Sequence, residues 1–392
     1  MPAEAAAPEL VAACPKHMEY GPCGGVGFDG GCEVAAFPCV YLEVAPVRWH
    51  GVGSGPGITP PTAGDGSGAA TRAASDGARS ATRAAIAAAR TRPRMAADPA
   101  PDPAPSPDAA ELRARLAAGP IVVADFPARA LDAESLTSCA AALRGHVDVV
   151  LAGDAGPARV QFPPAYRARL LREAGLRAWM GVNTRDRNRV ALEAELAALA
   201  HAGAAAVHCV TGDHPVVGSR PDATAVFDLD STELASLAAA RGHLVSVAEA
   251  PLSPPVAARP ARLLEKQRAG AELVFVNHAG GVESVRAFLS AAHELGVTLG
   301  AIACVPLIVD RGSAELIRGF TSLALPAGYL DSILAAADPR AAGIAAAAEL
   351  SLRLLEIEGV VGVDLSGGAA PGAELAVAEA MAEIGDRIGV TQ

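Results

Sequence analysis

Short apolar runs alternate along most of this chain with segments long enough to form helices. The runs begin near Pro120, Val147, Arg177, Ala204, His243, Glu272, Val297 and Gly359. Each is followed by a helix-length stretch with apolar positions at helical spacing. Ile121-Val-Val-Ala124, Val147-Asp-Val-Val-Leu151 and Leu273-Val-Phe-Val276 are near-continuous apolar runs, which suits parallel strands buried on both faces. Gly175, Gly203, Gly270 and Gly296 stand where the intervening helices should stop, and glycine supplies the left-handed C-cap there. Eight such units between about residue 112 and residue 388 predict an α/β fold, a closed (β/α)8 TIM-type barrel. An open doubly wound sheet shares the alternation, but no predicted strand leads into the GxGxxG phosphate fingerprint.

Two polar clusters sit at the ends of predicted strands. Asn183-Thr-Arg-Asp-Arg-Asn188 follows Ala178-Trp-Met-Gly-Val182, and Thr211-Gly-Asp-His-Pro215 follows Ala204-Ala-Ala-Val-His-Cys-Val210. The carboxyl edge of a parallel sheet is where α/β folds place their active sites. Asp213 is therefore a candidate functional carboxylate. The plainer reading is a turn-forming Asp that caps its own loop.

The barrel pattern does not extend to the amino end. Residues 51 to about 110 are built from Gly, Pro, Ala, Ser and Thr and run into Asp98-Pro-Ala-Pro-Asp-Pro-Ala-Pro-Ser-Pro107, the composition of a disordered linker stiffened by polyproline. A short alanine-rich helix around Ser80 to Thr91 would have little to pack against. The chain thus divides into a head over 1–50, a linker over 51–110 and a barrel over 111–392. Cys14, Cys23, Cys32 and Cys39 crowd the head, and a short segment without a core can fold around a metal held in this way. The expected ion is zinc, with an iron–sulfur cluster as the alternative. Disulfides would suit an oxidising compartment instead. Cys139, Cys209 and Cys304 lie in apolar surroundings and read as core thiols.

Composition narrows the classes. The 392 residues are 51% hydrophobic, ample for a core, and the net charge of −11 argues against a nucleic-acid partner. No apolar run approaches the ~20 residues of a membrane span, and no basic-then-apolar leader opens the chain, so a cytoplasmic protein without a membrane partner is expected. Among 32 basic residues only Lys16 and Lys266 are lysines. A lysine kept against so strong an arginine bias suggests a role that a flat guanidinium does not fill.

Arg185-Asp-Arg-Asn188, Thr211-Gly-Asp-His-Pro215, Pro221-Asp-Ala-Thr-Ala-Val-Phe-Asp-Leu-Asp-Ser231 and Lys266-Gln-Arg-Ala-Gly-Ala-Glu272 resemble, in order and spacing, the motifs of methylenetetrahydrofolate reductases. Cys14-Pro-Lys-His-Met-Glu-Tyr-Gly-Pro-Cys-Gly-Gly25 resembles the cysteine motif of a small domain associated with those enzymes. The resemblance implies a flavin-bearing barrel, with FAD or FMN, that reduces 5,10-methylenetetrahydrofolate to 5-methyltetrahydrofolate. NAD(P)H or a protein would donate the electrons, and a homo-oligomer is possible. The resemblance also assigns site residues. Asp213 matches the carboxylate that stabilises the iminium cation, and Asn277 stands where a pterin-binding amide is usual. Thr211, Gly212 and Asp213 match the segment against the flavin, and Lys266 matches a flavin-contacting lysine.

The chain departs from the family at several of these places. Aligning on Pro127 puts Ala124 at the position of the proton-donating glutamate. Asp125 is the nearest substitute, yet strand parity, counted from Ala124 as an inward position, turns Asp125 away from the interior. On that count Ala124→Glu would restore an interior acid. Gly181 replaces a histidine near the flavin, and Ala250 replaces an aromatic residue. The alternative to a reductase is a weakly active or non-catalytic folate-binding partner subunit, its head serving for docking or electron transfer.

Overall fold

The structure is a computed structural model and describes residues 8–51, 106–153, 158, 160–319 and 323–389. Eight parallel strands close into a barrel in sequence order: β1 Ile121–Asp125, β2 Val149–Ala152, β3 Ala178–Asn183, β4 Ala206–Val210, β5 Val245–Glu249, β6 Leu273–Val276, β7 Gly300–Pro306 and β8 Val360–Ser366. Helices follow the strands, so the expected (β/α)8 fold is present. The predicted linker, with its helix around Ser80 to Thr91, lies almost wholly outside the described residues. Its last residues belong to a helix, Pro107–Ala118, which starts before the expected boundary at 111. Ser106 accounts for the earlier start: its hydroxyl accepts from the Ala109 amide at 3.1 Å and donates to the Ala204 carbonyl at 2.8 Å. Leu112 of this helix is fully buried beneath the barrel.

Alternate strand residues fall into two separate clusters. Ile121, Val123, Val149, Leu151, Trp179, Ala206, Phe275 and Ile302 form one, whereas Val122, Ala124, Val150, Val207, Val274 and Val363 pack with the surrounding helices. The first set lines the lumen, because Trp179 on β3 meets Phe275 on β6 at 5.0 Å, a contact between strands that are not neighbours. Asp125 shares the parity of Ile121 and Val123. The expectation for β1 is therefore reversed: Asp125 is on the lumen side, and Ala124 is buried in the layer between strand and helices.

The head, residues 8–51, packs on the carboxyl end of the barrel around β4 to β6. Small clusters, Val11 with Tyr20 and Val47, and Cys14 with Met18 and Tyr41, give it a modest apolar interior. Most of its anchoring is polar. Arg259, at the start of helix Arg259–Arg268, is almost completely buried and donates to Glu249 at 3.1 Å and to the carbonyls of Ser253, Pro254, Pro22 and Cys23. Arg262 reaches Asp230 at 3.4 Å, and the same carboxylate accepts from the Tyr20 amide at 3.4 Å. Ser253 donates to the Val26 carbonyl at 2.9 Å, and the Trp49 amide donates to Glu265 at 2.7 Å. The head is thus docked on the barrel through buried and part-buried hydrogen bonds from the backbone of Tyr20, Pro22, Cys23, Val26 and Trp49.

Two outcomes follow from this packing. Ala124→Glu should destabilise the protein by about 3–5 kcal/mol, the scale of an uncompensated buried charge, rather than supply an acid to the lumen. Urea denaturation checks this, and a stable variant with faster folate reduction would defeat the assignment of Ala124 to the helix-facing layer. Arg259→Met should raise amide exchange across residues 14–26 while the barrel strands keep their protection. Equal protection in both proteins would show that the guanidinium does not hold the head.

Candidate active site at the barrel mouth

The β4 loop carries the densest polar structure at the mouth. Gly212 has φ +83°, and a Cβ there would lie 2.9 Å from Cβ of Asn183, so only glycine fits the turn that presents Asp213. Asp213 is exposed at the mouth. Thr211 is buried, and its hydroxyl accepts from the Ser231 amide at 3.2 Å and donates toward Sδ of Met18 at 3.7 Å. The head meets the loop directly. Glu33 accepts from the His214 amide at 3.1 Å and forms an ion pair with Lys16. Burial works against the Lys16 ammonium, yet Cys23, Glu33 and Asp213 together raise its pKa. The two motifs singled out in sequence, one in the head and one after β4, therefore form a single surface.

A second polar group lines the lumen below the rim. Asp125 accepts from the Ser366 hydroxyl at 3.0 Å, and the Cys304 thiol lies 3.6 Å from Asp364 on the neighbouring strand. Burial pushes the Asp125 carboxyl up to about 6, against the hydrogen bonds from Ser366 and Gly367. Asp364, 1% exposed and with Oδ1 unpartnered among the described residues, is raised well above the usual carboxylate value by burial and by the charge of Asp125. Sequence reading missed Asp364 and assigned Cys304 to the core. The lumen parity of β7 and β8 places both beside Asp125. Across the lumen, His208, Ser246 and Trp179 form a hydrogen-bonded set that sequence reading also missed. Asn277 is exposed at the end of β6.

The remaining expected residues lie elsewhere. Lys266 is buried in the strand–helix layer, where its ammonium donates to Glu249 at 2.7 Å and to the Ala248 carbonyl at 2.5 Å. Burial would raise the Glu249 carboxyl, but Lys266 and Arg259 outweigh it and hold the group below its usual range. A side chain at Gly181 would meet Cα of Gly153 at 2.8 Å, so the backbone after β2 excludes a histidine there. Ala250 is buried.

Cys14, Cys23, Cys32 and Cys39 all line one pocket of the head, with Lys16, Glu33 and Tyr41, and none of the four is in a disulfide. Burial pushes the Cys14 thiol up to about 11 and raises Cys39, whose thiol also feels the Arg259 charge in the opposite direction. Among the described residues no three His, Cys, Asp or Glu side chains are arranged to hold a metal ion as they stand. Binding would have to draw the thiols inward. The donor chemistry suits a thiophilic ion, and Lys16 and Arg259 offset the charge that four thiolates would bring.

The raised carboxyl has a measurable consequence. Between the unfolded value near 3.8 and the folded value of about 6, the folded chain binds more protons at Asp125 than the unfolded chain does. Stability contributed by this group is therefore fully present at low pH and lost as pH rises through that window. Asp125→Asn should flatten that slope and raise stability near neutral pH. Denaturation curves from pH ~4 to ~7 test this, and an unchanged slope would count against a desolvated Asp125.

Residues 6–48 match the family described as "Methylene-tetrahydrofolate reductase C terminal". No curated protein matches the chain. Among solved structures, the chain is similar to an uncharacterized protein from Clostridium thermocellum that binds two copies of 5-methyl-5,6,7,8-tetrahydrofolic acid, at 11% identity and a TM-score of 0.53, over 69% of this chain and 98% of that one. A 2,3-dimethylmalate lyase superposes at 15% identity and a TM-score of 0.41, over 67% of this chain and 78% of that one. The likeness to the Clostridium thermocellum protein concerns the fold alone. The chain thus joins a head whose residues 6–48 match the family described as "Methylene-tetrahydrofolate reductase C terminal" to a (β/α)8 barrel.

Proposed function

We propose that this protein binds a reduced folate at the carboxyl mouth of its barrel and takes part in reducing 5,10-methylenetetrahydrofolate to 5-methyltetrahydrofolate, with its head acting as a thiolate-bound metal module. The observation that carries this reading is the meeting of head and β4 loop, where Glu33 holds Lys16 and the His214 amide beside Asp213. The family matched by the head is named for these reductases. The similar barrel from Clostridium thermocellum binds the methylated folate that such a reaction yields.

Each polar group has a role that its surroundings suit. Asp213, exposed at the mouth, supplies a negative charge for a cationic iminium. Asn277 offers an amide to the pterin. Asp125 retains its proton to higher pH than an ordinary aspartate, and a carboxyl so tuned can donate a proton to assist opening of the folate ring. A reduced flavin would supply the hydride when bound. The residues nominated for the flavin fit it only in part. Gly212 leaves bare backbone at the turn, whereas the Thr211 hydroxyl and the Lys266 ammonium already have protein partners.

One observation favours a folate-binding partner subunit instead. The Lys16 charge bears on Asp213, the carboxylate that would otherwise face the cation alone.

Two measurements test the proposal. Freshly purified protein should contain zinc or iron in an amount near one site per chain, and Cys23→Ser should lose it. Less than half an equivalent of both metals together would remove the metal module. Asp213→Asn should keep the fold and lower folate reduction by roughly 100-fold, as for a lost partner in a preorganised site. Reduction unchanged within a factor of about two would end that role for Asp213. A wild type that binds folate without reducing it would favour the partner subunit.

A further inference from the structure

The hydrogen-bonded set on the lumen wall fixes the chemistry of one histidine. Trp179 Nε1 lies 2.9 Å from the Ser246 hydroxyl, and Nδ1 of His208 lies 2.8 Å from the same oxygen. Indole nitrogen only donates, so Ser246 Oγ accepts from Trp179. Ser246 is fully buried and has no other hydrogen-bond partner among the described residues. Were Nδ1–H also to donate to Oγ, the serine proton would be sealed in the barrel without an acceptor, at the full desolvation penalty of that group. The serine therefore donates to Nδ1, and the imidazole carries its proton on Nε2.

The other side of the ring is open. His208 is 9% exposed, and among the described residues Nε2 makes no hydrogen bond and is not one of the sealed, unpartnered atoms. Gly181 is its register partner on β3 and has no side chain to cover it. Phe275 pins the ring from beside at 4.7 Å. Burial, with the Lys266 charge adding to it, pushes the imidazole down to about 3, so the ring stays neutral across the physiological range.

We propose that His208 is a ligand-binding group of this barrel, donating a hydrogen bond from Nε2–H to a carbonyl oxygen or ring-nitrogen acceptor of a heterocycle seated in the lumen. Trp179 and Ser246 are its positioning residues. The inference rests on the folate reading above and adds a recognition group to it. Folates and flavins share the acceptor in question, a pyrimidinone-type ring, so each must be tested separately.

Nitrogen NMR of histidine-labelled protein reads the tautomer directly, and calorimetric titration with 5-methyltetrahydrofolate and with FMN reads the donor. The expected spectrum shows a neutral Nε2–H imidazole whose resonance moves on adding one of the two probes. His208→Leu should weaken that probe about tenfold, whereas His208→Gln, which keeps a donor, should stay within about threefold. Ser246→Ala should yield a mixture of tautomers and weaker binding in a folded protein, which keeps the test alive should the leucine variant misfold. An Nδ1–H tautomer in the wild type, or leucine-variant affinities within a factor of about two for both probes, would overturn the role of His208 alone. Binding of neither probe by the wild type would overturn the folate reading, and this inference with it.

Discussion

The mouth of this barrel is organised around one buried guanidinium. Arg259 is taken out of water at the seam between head and barrel, and Glu249 neutralises it on the barrel side. One carboxylate does not satisfy its donors, and the carbonyls of Pro22 and Cys23 complete the set from the head. A buried charge stripped of part of its shell is costly, so the barrel without its head would leave this arginine underpaired. A planar fork is suited to several carbonyls at once in a way that a lysine ammonium is not. Head and barrel therefore depend on one another despite the long tract of sequence between them.

Docking of the head changes what the β4 loop can do. Lys16 lies between the thiol pocket and the loop, raised by Cys23 on one side and by Asp213 on the other. Glu33 ties that lysine to the His214 amide. Charge at the thiol pocket and charge at the proposed folate carboxylate thus share a neighbour. Thr211 belongs to the same scaffold through Met18 and Ser231, so its hydroxyl serves the seam before any ligand.

The barrel was legible in the sequence because each strand is a compact apolar run bounded by turn signals, and the strand order of a (β/α)8 barrel follows from the chain order. Facing was harder to read. Every β1 residue up to Ala124 is apolar whether it faces lumen or helices, so the pattern carries no parity, and taking Ala124 as an inward position put the count on the wrong face. A one-residue shift exchanges the two faces of a strand, which is why Asp125 and Ala124 changed places. The crowding of the cysteines pointed to a metal site, and the four line one pocket without being arranged as ligands among the described residues. The seam was not legible, since Arg259, Arg262 and Asp230 lie far from the head in sequence and look like ordinary helix-start and capping residues. His208 was hidden inside an apolar strand for the same reason as Asp364: only the closure of the barrel reveals which side chains share a lumen.

That lumen is chemically asymmetric. Below the rim, Trp179 and Phe275 fill the interior, so the proposed ligand would sit near the mouth. Asp125, Asp364 and Cys304 occupy the wall made by β1, β8 and β7, while His208 stands on β4. Burial, with the Asp125 charge adding to it, favours the protonated form of Asp364. With Asp364 protonated, that wall offers both a donor and acceptors. The β4 wall, with its imidazole held as Nε2–H, can only donate. A ring placed between them with an acceptor on one edge and mixed donor and acceptor atoms on the other satisfies both walls in one orientation, and turning it over sets the imidazole donor against an edge that carries a donor as well as an acceptor. In a barrel with so few aromatic side chains to grip a ring by stacking, this difference between the walls would set which way round a heterocycle bound as proposed sits.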